Sequence, residues 1–525
     1  MAEPGRFTRG STFRHVAVMT LTGSLGLTFM FLVDFVTLLY VSWLGDERLT
    51  SAVGYAWTIQ YFTISVGIGF AIAATAVVSR SLGAGDRRAA RRQATSALVL
   101  TTAVLGVVSF AMVLGREPVL LWLGARGETL EVASRFLLLT LPSLPIMTFG
   151  MVGSSILRAE GDARRAMMVT LTAGAVAAVT DPFLIFEDVL GLPGLGWGVD
   201  GAAAVLVLSR LTTAVMAIRA VVWVHDLAAA PRWEAIRRDA KALFAIATPA
   251  SATQLSTPAG NFLMTAAVAQ YGDSAVAGWS VASRMTVLAF GGIFALSGAI
   301  GGIIGQNYGA GLMDRVARSY RDALLFCAIY VAITWAVLWG ASGWIVQGFG
   351  LTEVGAEVVV RFTQIGAGAF VFAGFLFVAN SAFNNLGKPV WSTACNWGRD
   401  GIAIPAALWA CGFTLLGVPP GPFDFGAPGV IYAQAAATVL VGAAAAVWGL
   451  RWIGGLKARP AARPAWGSAP PLASGRAAGA APLADSAGAR REGPGRGPGR
   501  GPGRGRGRGP GQGRGRGLAS PSAER

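Results

Sequence analysis

The chain has 525 residues, of which 54% are hydrophobic and only 13% are charged, and its mean hydropathy is +0.55. This composition is too apolar for a soluble globular protein and predicts an all-α polytopic membrane protein. Three cysteines, Cys327, Cys395 and Cys411, lack paired or metal-like spacing, so neither a disulfide framework nor a metal site is expected.

Twelve apolar runs follow one another along the chain, separated by charged or Gly/Pro-containing connectors. Each is long enough to cross a hydrocarbon core of about 30 Å as a helix. We therefore predict twelve transmembrane helices, at 16–44, 51–79, 94–114, 132–157, 166–186, 200–224, 242–271, 274–304, 322–347, 358–386, 390–416 and 429–453.

Positive charge alternates between successive connectors. By the positive-inside rule the basic connectors lie in the cytoplasm, and an even number of helices then places both termini there. The sequence thus predicts a multi-pass protein of the inner (plasma) membrane. The basic residues are Arg87, Arg88, Arg91, Arg92, Arg158, Arg164, Arg165, Arg232, Arg237, Arg238, Lys241, Arg315, Arg318, Arg321 and Lys388.

The two halves of the chain resemble each other. Residues 78–85 correspond to 304–311, and 157–162 correspond to 384–388, at a shift of about 226 residues. A repeat of six helices keeps both copies in one orientation and predicts two lobes related by a pseudo-two-fold axis along the membrane normal, as in transporters. The Gly-Ala-Gly stretches at 83–85 and 309–311 are interpreted as tight turns.

These patterns predict five segments. They are a cytoplasmic N-terminal segment 1–15, a first lobe 16–224, a cytoplasmic linker 225–241, a second lobe 242–455 and a cytoplasmic Gly/Pro/Arg-rich tail 456–525.

Asp34 is the one charged residue of the first apolar run. A carboxylate inside the bilayer costs about 2.5–3.5 kcal/mol on insertion scales, so it is a functional-site hypothesis by default. Asp181 lies late in the fifth run, directly before Pro182, and is the second candidate. Asn261 is the position in the second repeat that corresponds to Asp34 in the first, so the second lobe has no matching acid. We predict that Asp34 and Asp181 bind a coupling cation.

Other polar residues within the runs are candidates for the substrate path: Gln60, Asn261, Arg284 and Arg399. Lipid would not tolerate the two arginines, so they face protein or water. Neighbouring residues on a helix point apart, and we therefore expect Arg399 not to pair with Asp400. Structural roles, as hydrogen bonds between helices, are the alternative for each of these residues.

No phosphate-binding loop of the Walker A type and no His or Cys cluster is present, so neither ATP as the driver nor a cofactor is expected. The chain is not predicted to be an enzyme. Cation coupling at Asp34 and Asp181 requires only a coupling ion, H+ or Na+.

With these residues in view, the chain resembles the multidrug and toxic compound extrusion family of cation-coupled antiporters over roughly 15–455. The resemblance rests on Asp34 with Leu44-Gly45 after it, on 82–85, on Asp181-Pro182 followed by 199–203, and above all on 305–311. It implies twelve helices in two six-helix lobes and efflux of organic, often cationic, compounds against inward H+ or Na+.

Within that family the acids at Asp34 and Asp181 resemble the DNA-damage-inducible branch. The resemblance also implies an Asn four residues before the second acid and a Thr early in the sixth helix, where this chain has Ala177 and Leu206. Hard cations require several oxygen ligands, whereas a proton needs one basic oxygen. The sequence therefore favours H+ over Na+.

The tail from Lys457 onward carries thirteen Arg and one Lys against three acids, a net charge of +11. Its Gly-Pro-Gly-Arg runs cannot bury a core and are expected to be disordered. Such a segment could contact anionic lipid, or RNA weakly, or serve only as a solvated extension.

The expected partners of the chain as a whole are small organic substrates and the lipid bilayer, and we expect a monomer. Two alternative functions remain. The protein could be a flippase for a lipid-linked oligosaccharide, or a membrane scaffold that presents its basic tail to nucleic acid.

Overall fold

The computed structural model describes residues 5–44, 47–189, 191–351, 353–415 and 417–457. The predicted tail lies almost wholly outside these ranges, so its disorder and its lipid or RNA contacts stay predictions.

The first half of the chain folds into six membrane-crossing helical stretches. Two of them are made of more than one helical piece, because a 3₁₀ turn at Leu141–Ser143 joins α4 to α5 and a π-helical segment, Arg219–Val224, continues α7. A short hairpin of β1 (Asp188–Val189) and β2 (Leu192–Pro193) connects α6 to α7. The helices are α1 (Thr12–Ser42), α2 (Glu47–Gly83), α3 (Arg87–Trp122), α4 (Gly127–Thr140), α5 (Leu144–Glu160), α6 (Ala163–Ile185) and α7 (Gly198–Ile218).

The second half repeats this pattern with six further crossings. Here α9 and α10 form one crossing bent by 45° at Phe290, and π-helical segments interrupt the tenth and eleventh crossings at Phe362–Gly366 and Gly398–Ala403. The helices are α8 (Trp233–Val268), α9 (Asp273–Ala289), α10 (Gly291–Gly309), α11 (Met313–Gly340), α12 (Ser342–Gly348), α13 (Glu353–Arg361), α14 (Ala367–Asn385), α15 (Pro389–Trp397), α16 (Ile404–Ala410) and α17 (Gly429–Lys457).

Within the described ranges, nine helical stretches are long and apolar enough to cross a membrane, and the bent pair α9–α10 makes a tenth. The other two crossings are α8, which contains Pro249 and Pro258, and α15–α16, which contains Arg399 and Asp400. Twelve transmembrane helices in two lobes are thus confirmed. One boundary differs, because α8 begins at Trp233 and the second half of the predicted linker 225–241 is helical.

The two lobes meet at the end of the helices where the arginine-rich connectors lie, which we call the basic end. A Cβ at Gly83 would lie 1.9 Å from the carbonyl oxygen of Gln306, and a Cβ at Gly309 would lie 2.0 Å from the carbonyl oxygen of Arg80. Gly309 follows Gly83 by 226 residues, and Gln306 follows Arg80 by the same number. The two contacts are therefore equivalent under the repeat, and they place its two-fold axis between α2 and α10.

The Gly-Ala-Gly stretches consequently have two roles. Gly85 and Gly311 adopt φ values of +76° and +74°, which confirms that they form tight turns. Gly83 and Gly309 instead let two helix backbones touch, since any side chain there would overlap the facing backbone.

Residues 5–10 lie between the lobes at the basic end. The amide of Phe7 donates to Gln306 Oε1 (2.8 Å), and the Arg6 guanidinium donates to the carbonyl oxygen of Gly161 (3.1 Å). Arg315 donates in turn to the carbonyl oxygens of Phe7 (2.9 Å) and Gly10 (3.0 Å). Phe7 is buried. This segment therefore bonds to both lobes and helps to close the basic end.

Further from the basic end, α2 and α8 cross near the middle of the membrane. There the Ser251 hydroxyl donates to the carbonyl oxygen of Val66 (3.1 Å), and Gly69 makes room for Ser251. Beyond this crossing Tyr61 on α2 and Phe262 on α8 are exposed. Among the described residues, the hydrogen bonds between the lobes lie at the basic end or near this crossing.

Candidate functional site

The structure brings Asp34 and Asp181 to one site within the first lobe, on α1 and α6. Asp181 is fully buried and Asp34 is half-buried. Asp34 lies within electrostatic range of both Asp181 and Arg210. Two carboxylates and one guanidinium therefore share a region of the membrane interior, where isolated charges are costly.

Thr37, one turn after Asp34 on α1, connects the two helices. Its hydroxyl is a donor to Asp181 Oδ2 and also lies 3.1 Å from the carbonyl oxygen of Val33. A hydroxyl has a single proton and can donate to only one of these oxygens at a time. When Asp181 is ionised, Thr37 donates to it; when Asp181 is protonated, Thr37 can accept from it and donate to Val33. The same contact thus accommodates both protonation states.

The other carboxylate oxygen of Asp181, Oδ1, is buried and has no hydrogen-bond partner among the described residues. Ala177, one turn before Asp181 on α6, packs with Val33 and Val205 in a small apolar cluster that also includes Phe29 and Leu184. An unpartnered carboxylate oxygen in such a setting is stabilised when the group carries a proton.

Arg210 was not predicted as a site residue. It is buried on α7 and donates to the carbonyl oxygen of Thr140 (2.7 Å), to Ser143 Oγ (2.7 Å) and to Gln60 Oε1 (2.5 Å). The signal was present, because Arg210 lies in the middle of the sixth apolar run, where the rule that selected Arg284 and Arg399 applies equally. Thr37 gave no comparable signal, because threonines are common in membrane helices.

The remaining predicted site residues lie in different places. Gln60 is fully buried and bonds to Arg210, so it joins the carboxylate site through that guanidinium. Asn261 is exposed on α8. Arg284 is exposed on α9, with its guanidinium 5.7 Å from the ring centroid of Phe35 on α1, directly after Asp34. This cation–π contact between Arg284 and Phe35 links the two lobes on the far side of the α2–α8 crossing from the basic end.

Arg399 forms a buried ion pair with Asp400. The distances are 2.7 Å from Nε to Oδ1 and 3.0 Å from the guanidinium to Oδ2, so the expectation that these neighbours do not pair is wrong. They lie in the π-helical segment Gly398–Ala403, where the turn is wider than in an α-helix and a long arginine side chain can fold back. Gly260 on α8, next to Asn261, leaves the space that Asp400 occupies.

We expect this pair to be structural. Asp400→Asn would leave a buried arginine without its counter-charge and should destabilise the protein by about 3–5 kcal/mol. The double substitution Arg399→Met with Asp400→Leu removes both charges and should cost much less. Thermal unfolding of the purified variants measures both. Equal loss in the single and double variants would contradict a paired role.

The fold and this site together define a class of protein, a membrane transporter built from two repeated six-helix lobes. The MatE family model matches residues 24–183 and 249–409, and the chain belongs to this family. The second matched segment begins 225 residues after the first begins and ends 226 residues after the first ends, in agreement with the repeat.

Curated relatives and solved structures agree with this assignment. The chain is 26% identical over 326 residues to a protein named FAD transporter from Shewanella oneidensis, and the match covers 62% of this chain and 69% of that protein. It is 24% identical over 283 residues to the multidrug export protein MepA of Staphylococcus aureus, covering 53% of this chain and 61% of that one.

A solved structure described as the outward-facing conformation of a multidrug resistance MATE family transporter superposes with a TM-score of 0.77. It is 22% identical to this chain, and the superposition covers 87% of this chain and 99% of that structure. This likeness supports the twelve-helix, two-lobe fold.

Proposed function

We propose that this protein is a secondary active antiporter that exports organic compounds in exchange for H+. The observation that carries the proposal is the pair of intramembrane carboxylates, Asp34 and Asp181, on neighbouring helices of the first lobe. Their position supports a coupling role, because a buried carboxylate that gains and loses a proton changes the charge at a helix contact.

Two features support H+ as the coupling ion. Thr37 can hydrogen-bond Asp181 in either protonation state, and Asp181 Oδ1 has no other partner among the described residues. Ala177, one turn before Asp181 on α6, has no side-chain oxygen to offer a metal ion. A site with few neutral oxygens suits a proton better than Na+.

The transport cycle follows from the closed basic end. If the basic side faces the cytoplasm, as the positive-inside rule indicates, the lobes are closed toward the cytoplasm and this arrangement is the outward-facing one. A proton from outside then neutralises Asp34 or Asp181, α1 repacks against α6, and the substrate leaves. Return to the inward-open arrangement releases the proton. One pH unit supplies about 1.4 kcal/mol per proton, and 100 mV adds about 2.3 kcal/mol per charge moved.

The substrates are proposed to be amphipathic organic compounds, in line with the names of the relatives that transport FAD or export drugs. Phe35 and Arg284 supply an aromatic surface and a cation at the border between the lobes. The flippase alternative requires cationic residues along the substrate path, where Arg284 and Arg399 are the candidates. Since Arg399 is neutralised by Asp400, only Arg284 of the two supports it.

The proposal is tested by transport in liposomes containing the purified protein, with ethidium and FAD as cationic and anionic probes. We expect at least one probe to move under a pH gradient imposed without Na+. Movement under a Na+ gradient alone would overturn H+ coupling. If neither gradient moves a probe and the protein instead scrambles a fluorescent lipid-linked oligosaccharide, the flippase function replaces this one.

A further inference from the structure

Arg210 is held in place by neutral oxygens. Its partners come from three separate places: Gln60 on α2, the end of α4 at Thr140, and Ser143 in the 3₁₀ turn. Within the described residues none of these contacts is an ion pair, so the guanidinium keeps its full positive charge. The acid within its electrostatic range is Asp34.

This fixed charge changes what the carboxylate site can bind. With Asp34 and Asp181 both ionised, Arg210 reduces the net charge of the group from −2 to −1. Arg210 holds its position by donating to Gln60 Oε1, and this contact leaves its charge uncompensated. The site therefore attracts a cation less than two carboxylates alone would.

The positive charge of Arg210 weakens the binding of Na+ more than it weakens the binding of a proton. The positive charge repels both, but a proton forms a covalent bond with a single carboxylate oxygen and needs no further ligand. Na+ is held by the field of several oxygens together, as other hard cations are. The positive charge of Arg210 therefore weakens Na+ binding further at a site that already offers few oxygen ligands.

We infer that Arg210 is a built-in cation that keeps Na+ out of the Asp34–Asp181 site and so determines which ion the transporter uses. The inference rests on the proposed antiport function and adds to it a residue that selects the ion. The competing explanation is that Arg210 only fastens α7 to α2 and to the turn between α4 and α5.

Three substitutions separate these explanations. Arg210→Met removes the charge and also releases Gln60 Oε1. Arg210→Lys keeps the charge but loses the planar fork that reaches three partners. Gln60→Glu keeps an oxygen 2.5 Å from the guanidinium and cancels its charge with a carboxylate. Gln60→Glu keeps the test usable if Arg210→Met does not fold.

The measurement is binding of radiolabelled Na+ to the purified full-length protein at alkaline pH, with choline chloride holding the ionic strength constant. Wild type and Arg210→Lys should show no saturable binding. Arg210→Met and Gln60→Glu should show saturable Na+ binding, because removing or cancelling one nearby unit charge in a partly polar interior tightens cation binding by about 10- to 100-fold. Adding Asp34→Asn to either variant should abolish the gain.

Saturable Na+ binding by the wild type would overturn the inference, and so would its absence in folded Arg210→Met and Gln60→Glu. A purely structural role predicts that Arg210→Lys and Arg210→Met lose stability alike and that neither gains Na+. Because the binding assay involves no substrate, a failure of the transport proposal would be seen separately, in the liposome experiment.

Discussion

Asp34→Asn is expected to abolish transport driven by a pH gradient while the protein still folds. Asparagine has nearly the same shape as aspartate but cannot take up or release a proton in the physiological range. Asparagine fills the same space, and Asp34 is half-buried, so the variant should still fold. We expect the initial rate of probe movement to fall to that of protein-free liposomes, because a side chain that exchanges no proton cannot use the free energy of the gradient, about 1.4 kcal/mol per pH unit.

Asp200→Asn is the matched control. Asp200 lies in the first turn of α7, in the same lobe, and pairs with the largely exposed Arg135 (2.5 Å). An exposed pair of this kind contributes about 0–1 kcal/mol, so its loss should leave transport unchanged. Normal transport by Asp34→Asn would show that Asp34 is structural and would remove the main support for proton coupling.

Gly83→Val and Gly309→Val are each expected to prevent closure of the basic end. A Cβ at either position would overlap a facing carbonyl oxygen, at 1.9 Å and 2.0 Å, and backbone cannot move aside as a side chain can. Overpacking costs about 1–3 kcal/mol, which corresponds to a shift of about 5- to 150-fold between two arrangements. Because only the closed arrangement needs this contact, the variants should insert and fold but transport poorly.

Reactivity of a cysteine at Ser79 measures the closure directly. Ser79 is fully buried at this contact, beside Gly305. In a background without the native cysteines, Ser79→Cys should react slowly with a water-soluble maleimide and much faster once Gly83→Val is added. Gly106→Val is the control, since a Cβ there meets no other atom within 4 Å. Slow labelling and normal transport in the Gly83→Val variant would contradict the role of the contact.

Much of the fold could be predicted from the sequence, because each crossing is a local property of about twenty residues. All twelve predicted runs correspond to helices. The interruptions were not predicted, since the bend at Phe290 and the π-helical segments at 219–224, 362–366 and 398–403 depend on how neighbouring helices pack. The repeat predicted the glycine turns, but not that Gly83 and Gly309 face the opposite lobe, which requires the tertiary arrangement.

The site was predicted in part. An acid in an apolar run is visible in any sequence, and Asp34 and Asp181 lie within electrostatic range of each other. Their role as a coupling site stays a prediction. Arg210 comes from a distant part of the chain, and an arginine in a run can lie over an aromatic ring, as Arg284 does, or be neutralised by an acid, as Arg399 is. Only the contacts distinguish these cases. The pairing of Arg399 with Asp400 was missed because the π-helical geometry was not anticipated.

The short segment that precedes α1 has a practical consequence for how the lobes move. Residues 5–10 bind both lobes through Gln306, Gly161 and Arg315, so the lobes cannot separate at the basic end without breaking one set of these bonds. The segment therefore acts as a ligand that is permanently tethered to its receptor, and its effective concentration is set by its attachment to α1 and not by the surroundings.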